Sequence, residues 1–235
     1  MPIKQIIPHV YQITLPNVNC FLLRDAGNTN SLTLIDTGSP NTEQKIFDAI
    51  AEAGFKPSDL TRIVLTHHHP DHAGSAAAIA AQLNIPIWAY ESEAADLERG
   101  LFGRLPLTVA PGLFSKILYR LFIKSQRFEG YPPVHIARRL RDGEVLPILG
   151  GVEVIHTPGH SAGHIALLLQ PERLLIAGDA CMNMMGLGYS IIYEDLAVGR
   201  ASLQRLATYP FDKAVFGHGN ALMKDAAKQL EQKFG

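Results

Sequence analysis

The stretch Leu65–Ser75, LTHHHPDHAGS, decides how the rest of the chain is read. It packs four of the ten histidines and an aspartate into six consecutive positions, directly after an apolar run, RIVLT, that reads as a buried strand. If the backbone stays extended to the end of that run, residues two apart point the same way, so His67 and His69 can share one ion while His68 points elsewhere. Asp71 and His72 lie in the turn beyond, close enough to hold a second ion. Neutral imidazoles and carboxylates converging on one point suit a zinc-type cation, and equally iron, nickel or manganese. An isolated histidine is usually a satisfied structural residue, but four at this spacing with an aspartate at a strand end reverse that reading. His68 is expected to face solvent or a neighbouring loop, and its loss to leave metal binding intact.

Working outward, strands and helices flank the motif on both sides. VYQITL, CFLL and LTLIDTG are short β-rich runs separated by Pro, Asn and Gly. Ile46, Phe47, Ile50 and Ala53 then fall at helical spacing, with Thr42 as a cap and Gly54 as a stop. RIVLTH, AGSAAAIAAQL and IPIWAY form a β-α-β pattern with the histidines at its strand-to-helix turn. After Asp142, EVLPIL, VEVIHT, HIALLLQ and RLLIAGD read as strands, followed by a helix over 200–207, the strand KAVFGHG and a helix over 223–234. Two similar halves predict two stacked sheets with helices outside, in a single domain over 1–235.

The segment 101–133 does not fit this alternation and reads as an insertion, either a lid or an interface. Within it Leu113, Phe114, Ile117, Leu118, Leu121 and Phe122 share one helical face, and Lys116, Arg120, Lys124 and Arg127 fall on another. Of the places where such an apolar face can be buried, the mouth of the site is preferred over a partner subunit or a lipid surface.

Three further strand ends carry polar residues. IHTPGHSAGH places His160 after a Pro-Gly turn, LLIAGDA ends on Asp179, and AVFGHGN does the same with His218. LIDTG repeats the pattern with Asp36. A carboxylate or imidazole left unpaired at the end of a buried strand is costly unless something satisfies it, and a cation does so.

In this order and over most of the chain, Asp36, THHHPDH, TPGHSAGH, GD and GHG resemble the motifs of the metallo-β-lactamase-fold hydrolase superfamily. The resemblance runs from about 19 to 220, leaving out the insertion. It implies an α/β fold, the αβ/βα four-layer sandwich, with the site at the edge where strand ends of both halves meet. It implies His67, His69 and His160 on one metal, Asp71, His72 and His218 on a second, Asp179 bridging the two, and Asp36 orienting the ligands from behind. The cofactor so implied is two divalent metal ions, Zn2+ first, with Fe or Mn as alternatives. The implied reaction is attack of a metal-bridging hydroxide on a small ester, thioester or lactone, with Asp71 and Asp179 as the catalytic carboxylates.

The motif set is closest to glyoxalase II-like and acyl-homoserine-lactone lactonase-like members. Asp179 stands where β-lactamases of this fold have Cys or no carboxylate bridge, and His69 where flavin-linked di-iron members have Glu, which disfavours both. Glyoxalase II adds a helical C-terminal domain that helps bind glutathione, and the short run after GHG counts against glutathione here. The lactonases have a Tyr soon after the bridging Asp; here Cys181, Met182 and Met184 follow, leaving Tyr189 or Tyr193 as substitutes. The alternatives are a mononuclear-iron, persulfide-dioxygenase-like oxidoreductase and, further off, a phosphodiesterase. His164 divides evenly between orienting a ligand and a purely structural role. Cys20 and Cys181 read as core, and MNMMG as pocket wall or core filler.

Composition bounds the remaining choices. The chain of 235 residues has 47% hydrophobic and 18% charged residues and a mean hydropathy of +0.07, ordinary for a well-packed globular protein. A net charge of −1 and a pI near 6.8 give no global pull toward nucleic acid or an anionic membrane, so neither is expected as a partner. Two cysteines make no disulfide framework and no basic-then-apolar leader opens the sequence, so a cytoplasmic location is expected. No apolar run approaches the roughly 20 residues that span a bilayer. The expected partner is a small-molecule substrate, with a homodimer left open.

Overall fold

The computed structural model describes residues 3–25 and 31–235. Seven strands form the first sheet among these residues: β1 (Ile3–Ile7), β2 (Val10–Thr14), β3 (Asn19–Arg24), β4 (Leu32–Ile35), β5 (Leu60–Val64), β6 (Ile87–Tyr90) and, after the short β7 (Thr108–Val109), β8 (Ile136–Leu140). The second sheet has the order β14 (Lys213–Val215), β12 (Leu174–Ile176), β11 (Ile165–Leu169), β10 (Val152–His156), β9 (Val145–Leu146). Among the described residues β7 pairs only with β13 (Ile192–Tyr193).

Side-chain alternation along the strands builds the layers. On β3, Phe21 and Leu23 face inward with Ile165, Leu167 and Leu169 of β11, forming the seam between the sheets. Cys20 and Leu22 point the other way, onto Ile46, Phe47 and Ile50 of α1 (Glu43–Glu52) and Ile79 of α3 (Ala76–Leu83). Ala166 and Leu168 meet Leu203 and Leu206 of α6 (Leu196–Ala207) and Leu230 and Phe234 of α7 (Ala226–Phe234). Three apolar seams among four layers are the αβ/βα sandwich.

Several local expectations differ from the structure. Thr42 precedes α1, but its hydroxyl donates to the carbonyls of Ser39 and Thr37 instead of capping the helix, while its own N–H is taken by Ser75 Oγ. β1, β8 and α4 (Glu91–Leu97) are additions to the expected elements, and β8 lies just beyond the insertion, parallel to β6. The insertion holds α5 (Leu113–Leu118), which runs on as a π turn over Tyr119–Ile123.

Strand direction positions the site. β4 and β5 are parallel in one sheet; β12 and β14 are parallel in the other, and β10, two antiparallel steps from β12, runs with them. Their carboxyl ends lead into Asp36, His67, Asp179, His218 and His160. Among the described residues no helix is long and apolar enough to cross a membrane.

Candidate metal centre

His67 and His69 leave the end of β5 in extended backbone, and α2 (Pro70–Ala73) begins directly after them, with His69 at φ −64 and ψ 151. Pro70 at the first helical position costs no hydrogen bond there and turns Asp71 and His72 back toward the strand end. Gly217, between β14 and His218, packs against the Asp179 carboxylate and the His72 ring so closely that a β-carbon would collide with both.

The seven predicted donors come together. His67, His69 and His160 place one ligand atom each within 4.8 Å of one another, as do His67, His72 and Asp179, and Asp71, His72 and His218. Asp179 lies between the groups: its carboxylate is 3.6 Å from His160 Nε2, 3.4 Å from His72 Nε2 and 3.1 Å from His218 Nε2. His67 Nε2 and His160 Nε2 approach to 3.2 Å.

The rings are held from behind. His72 Nδ1 donates to Asp36 (2.8 Å), His160 Nδ1 to the Ile192 carbonyl (2.8 Å) and His218 Nδ1 to the Asn17 carbonyl (2.6 Å). His67 Nδ1 donates to Thr66 Oγ1 (3.0 Å), which donates in turn to Asp36 (2.7 Å). Each bond fixes a tautomer that leaves Nε2 a free lone pair facing the centre. Asp36 adopts a left-handed φ of 60°, a conformation short polar side chains tolerate at some cost, and also accepts from Thr66 N–H (2.8 Å). The insertion contributes as well, because β7 pairs with β13, whose Ile192 carbonyl holds His160.

The donors fit a divalent cation on the evidence of their own unmet bonds. His69 Nε2, His72 Nε2 and Asp179 Oδ1 are buried with no hydrogen-bond partner. Five imidazoles and two carboxylates without a thiolate match zinc, iron or manganese.

Burial and neighbouring imidazoles push His67 well down, and burial with His160 takes His69 to about 3. Burial opposes protonation of His72 as well, yet Asp179, Asp36 and Asp71 together lift it to about 9. His218 is raised above its usual range by Asp179 and Asp71 against the same burial. In the metal-free protein, protons on His72 and His218 therefore balance the carboxylates. The His72 proton stabilises the metal-free fold fully below about 6.5, and that contribution is lost as pH rises through about 9. Metal loading at pH 7 is expected to expel about two protons per chain and to tighten as pH rises toward that value. Calorimetry in buffers of different ionisation enthalpy measures this, and metal uptake without proton release would contradict it.

Other expectations meet the geometry unevenly. His164 takes the orienting role: its Nε2 accepts the Asp179 backbone N–H (2.9 Å) and its Nδ1 donates to Thr157 Oγ1 (2.7 Å). His68 does not face solvent. It is fully buried and its Nδ1 contacts Glu93 of helix α4, whose other oxygen accepts from Ser161 Oγ (2.7 Å) and Gly163 N–H (2.6 Å), so its main partner is a helix carboxylate and not the expected solvent or loop. Tyr193 is buried, donating to the Ala180 carbonyl (2.8 Å) and accepting from Ser190 N–H (3.0 Å). Tyr189 packs on Phe234. Neither lines the cavity over the donors. Cys20 and Cys181 are core residues.

That cavity, about 570 Å³, has His69, Asp71, His160, Asp179 and His218 at its base. Its apolar walls are Leu15 and Val18 from the first half, Leu118, Phe122, Ile123 and Phe128 from the insertion, and Met184, Ile191 and Ile192. Nothing in the sequence flagged the wall contributed by Leu15, Val18 and Ile191.

Comparison with known proteins agrees with this architecture. The chain is 28% identical over 243 aligned residues to the atrochrysone carboxyl ACP thioesterase dmxR1 of Cryptosporiopsis sp., covering 99% of this chain and 62% of that protein. It is 29% identical over 209 residues to a hydroxyacylglutathione hydrolase of Rhizobium meliloti, covering 81% of this chain and 65% of the other. It thus spans a little under two thirds of the length of these relatives. A crystal structure of a metallo-beta-lactamase family protein from Thermus thermophilus superposes with a TM-score of 0.67 at 27% identity, covering 97% of this chain and 80% of that one. The sequence profile of the metallo-beta-lactamase superfamily matches residues 13–218, and the chain belongs to that superfamily.

Proposed function

We propose that this protein is a dinuclear metal-dependent hydrolase acting on a small thioester with an apolar acyl portion. The observation that carries the reading is a set of seven converging His and Asp donors, several with buried unmet lone pairs, at the base of an apolar-walled cavity. His67, His69 and His160 would hold one ion, Asp71, His72 and His218 the other, and Asp179 both. Divalent cations bound there would supply Lewis acidity, lowering the pKa of water and polarising a carbonyl.

The chain's own residues do the rest. Asp36, Thr66 and the Ile192 and Asn17 carbonyls keep the rings in place, so little reorganisation accompanies reaction. Asp71, 3.4 Å from His218 Nε2 and lining the cavity, can orient an attacking water at Oδ2; against burial, His72 and His218 hold its carboxyl well below the usual carboxylate range, so it stays ionised. The walls from Leu118, Phe122, Ile123 and Phe128 bury an acyl chain and exclude water around it.

Among ester, thioester and lactone, the leaving group favours the thioester. An alkoxide must be protonated as it departs, and the phenols of Tyr189 and Tyr193 are turned away from the cavity. A thiol, with a pKa of about 8.5, leaves as thiolate without that help. One relative named a thioesterase supports the same choice. With metal content matched, kcat/KM for a thioester is expected to exceed that for the oxoester of the same acyl group by roughly 100-fold, the scale of a missing general acid. An oxoester cleaved as fast overturns the thioester assignment, and no hydrolysis of either by metal-loaded protein overturns the hydrolase reading.

A further inference from the structure

The helical segment over 113–123 has two apolar sides, and only one is used. Leu118 and Ile123 turn into the cavity, and Phe122 stands at its rim. Leu113, Ile117 and Leu121, at four-residue spacing, are 75%, 46% and 67% exposed. With Phe114 they form an exposed apolar stripe, whereas exposed apolar residues on an ordinary surface are scattered singly. Met184, which also lines the cavity, and its neighbour Met185 are exposed too.

A row of cations accompanies the stripe. Lys116, Arg120 and Lys124 are exposed and repeat at the same four-residue spacing; Arg127 follows, and the segment contains no carboxylate. Among the described residues none of these three forms an ion pair. The chain as a whole is slightly acidic, so these charges form a local basic edge on an otherwise acidic molecule.

We propose that this face docks on an anionic lipid surface. Aliphatic side chains would enter the boundary between headgroups and acyl chains while the Lys and Arg stems reach back to lipid phosphates. The segment is short, so the apolar stripe alone gives weak attachment and the cations supply the remainder, each adding about fivefold in partitioning. A second copy of the chain fits less well. A two-fold contact across this helix would set Lys116, Arg120 and Lys124 against their own copies with no acid in the segment to balance them. Phe122, at the cavity rim, borders this face. This inference is independent of the bond that the metal centre cleaves.

Sedimentation of the full chain with vesicles tests it. Binding is expected to vesicles of phosphatidylcholine mixed with phosphatidylglycerol, not to phosphatidylcholine alone, and to fall with added salt. The triple change Lys116→Gln, Arg120→Gln, Lys124→Gln is expected to lower partitioning about 100-fold. Leu113→Ser, Ile117→Ser, Leu121→Ser together should lower it at least about 10-fold, with circular dichroism and metal content unchanged. Failure to bind anionic vesicles, equal binding to both vesicle types, or variants that bind like the wild type would overturn the proposal. A dimer that the serine variant converts to a monomer, without vesicle binding, would make the face a protein interface and overturn it equally.

Discussion

Asp179→Ala is expected to lose at least one metal ion per chain and to lower kcat/KM by roughly 1,000-fold or more, since several kcal/mol of charge stabilisation depend on the centre being intact. The geometry singles this residue out. Among the described residues its carboxylate is the one group close to His160, His72 and His218 together, at 3.6, 3.4 and 3.1 Å, so it stands between both halves of the candidate centre. Its loss also removes a main charge that favours protonated His72 and His218, leaving crowded imidazoles with less to balance them. His164→Ala is the fair comparison, because His164 touches Asp179 only through the backbone N–H. Its effect is expected in the range of about 10- to 100-fold, the usual cost of removing a residue that orients a ligand. Elemental analysis with steady-state kinetics separates the two, and equal losses at matched metal content would contradict the distinction.

His68→Ala is expected to destabilise the protein by about 3–5 kcal/mol, the cost of stranding a buried charge. His68 is fully buried and Glu93 nearly so, and a single proton between His68 Nδ1 and the Glu93 carboxylate satisfies both. On the far side His68 Nε2 is 3.6 Å from Glu194, which with Asp96 surrounds Arg104. Glu93 in turn holds Ser161 and Gly163, in the loop that follows the candidate ligand His160. The residue thus ties the loop bearing His67 and His69 to the loop bearing His160, so metal affinity should fall with stability, against the expectation from sequence that its loss leaves metal binding intact. Urea unfolding of metal-loaded protein measures the loss. Adding Glu93→Gln to His68→Ala is expected to recover part of it, because a neutral amide strands no charge. A His68→Ala protein as stable and as well loaded as the wild type would refute this account of the cluster.

The two halves of the sandwich and the convergence of the seven candidate donors were legible because their signals are local. Continuous apolar runs such as Ile165–Leu169 announce strands by themselves, and each donor sits at or shortly beyond the end of an apolar run. What escaped depends on partners distant in sequence. ESEAADL, Glu91–Leu97, reads as a solvated stretch because Glu and Asp ordinarily face water, yet Glu93 and Asp96 are buried against His68 and Arg104. IARRL, Ile136–Leu140, was hidden by its paired arginines; Arg138 lies over the Trp88 ring, and Arg139 pairs with Glu98. The insertion showed its amphipathic face in sequence, but which side chains reach the cavity follows from a helix that packs over the site on one side and remains open on the other.

The most direct test of the central claim is the metal content of the purified chain, by elemental analysis after reconstitution and removal of excess ion. The account predicts two transition-metal ions per chain, with loss of the second group's ion in Asp71→Ala and of the first group's in His69→Ala. A fully active preparation holding a single iron and consuming oxygen with a persulfide would contradict it, as would a wild-type chain that retains no metal at all.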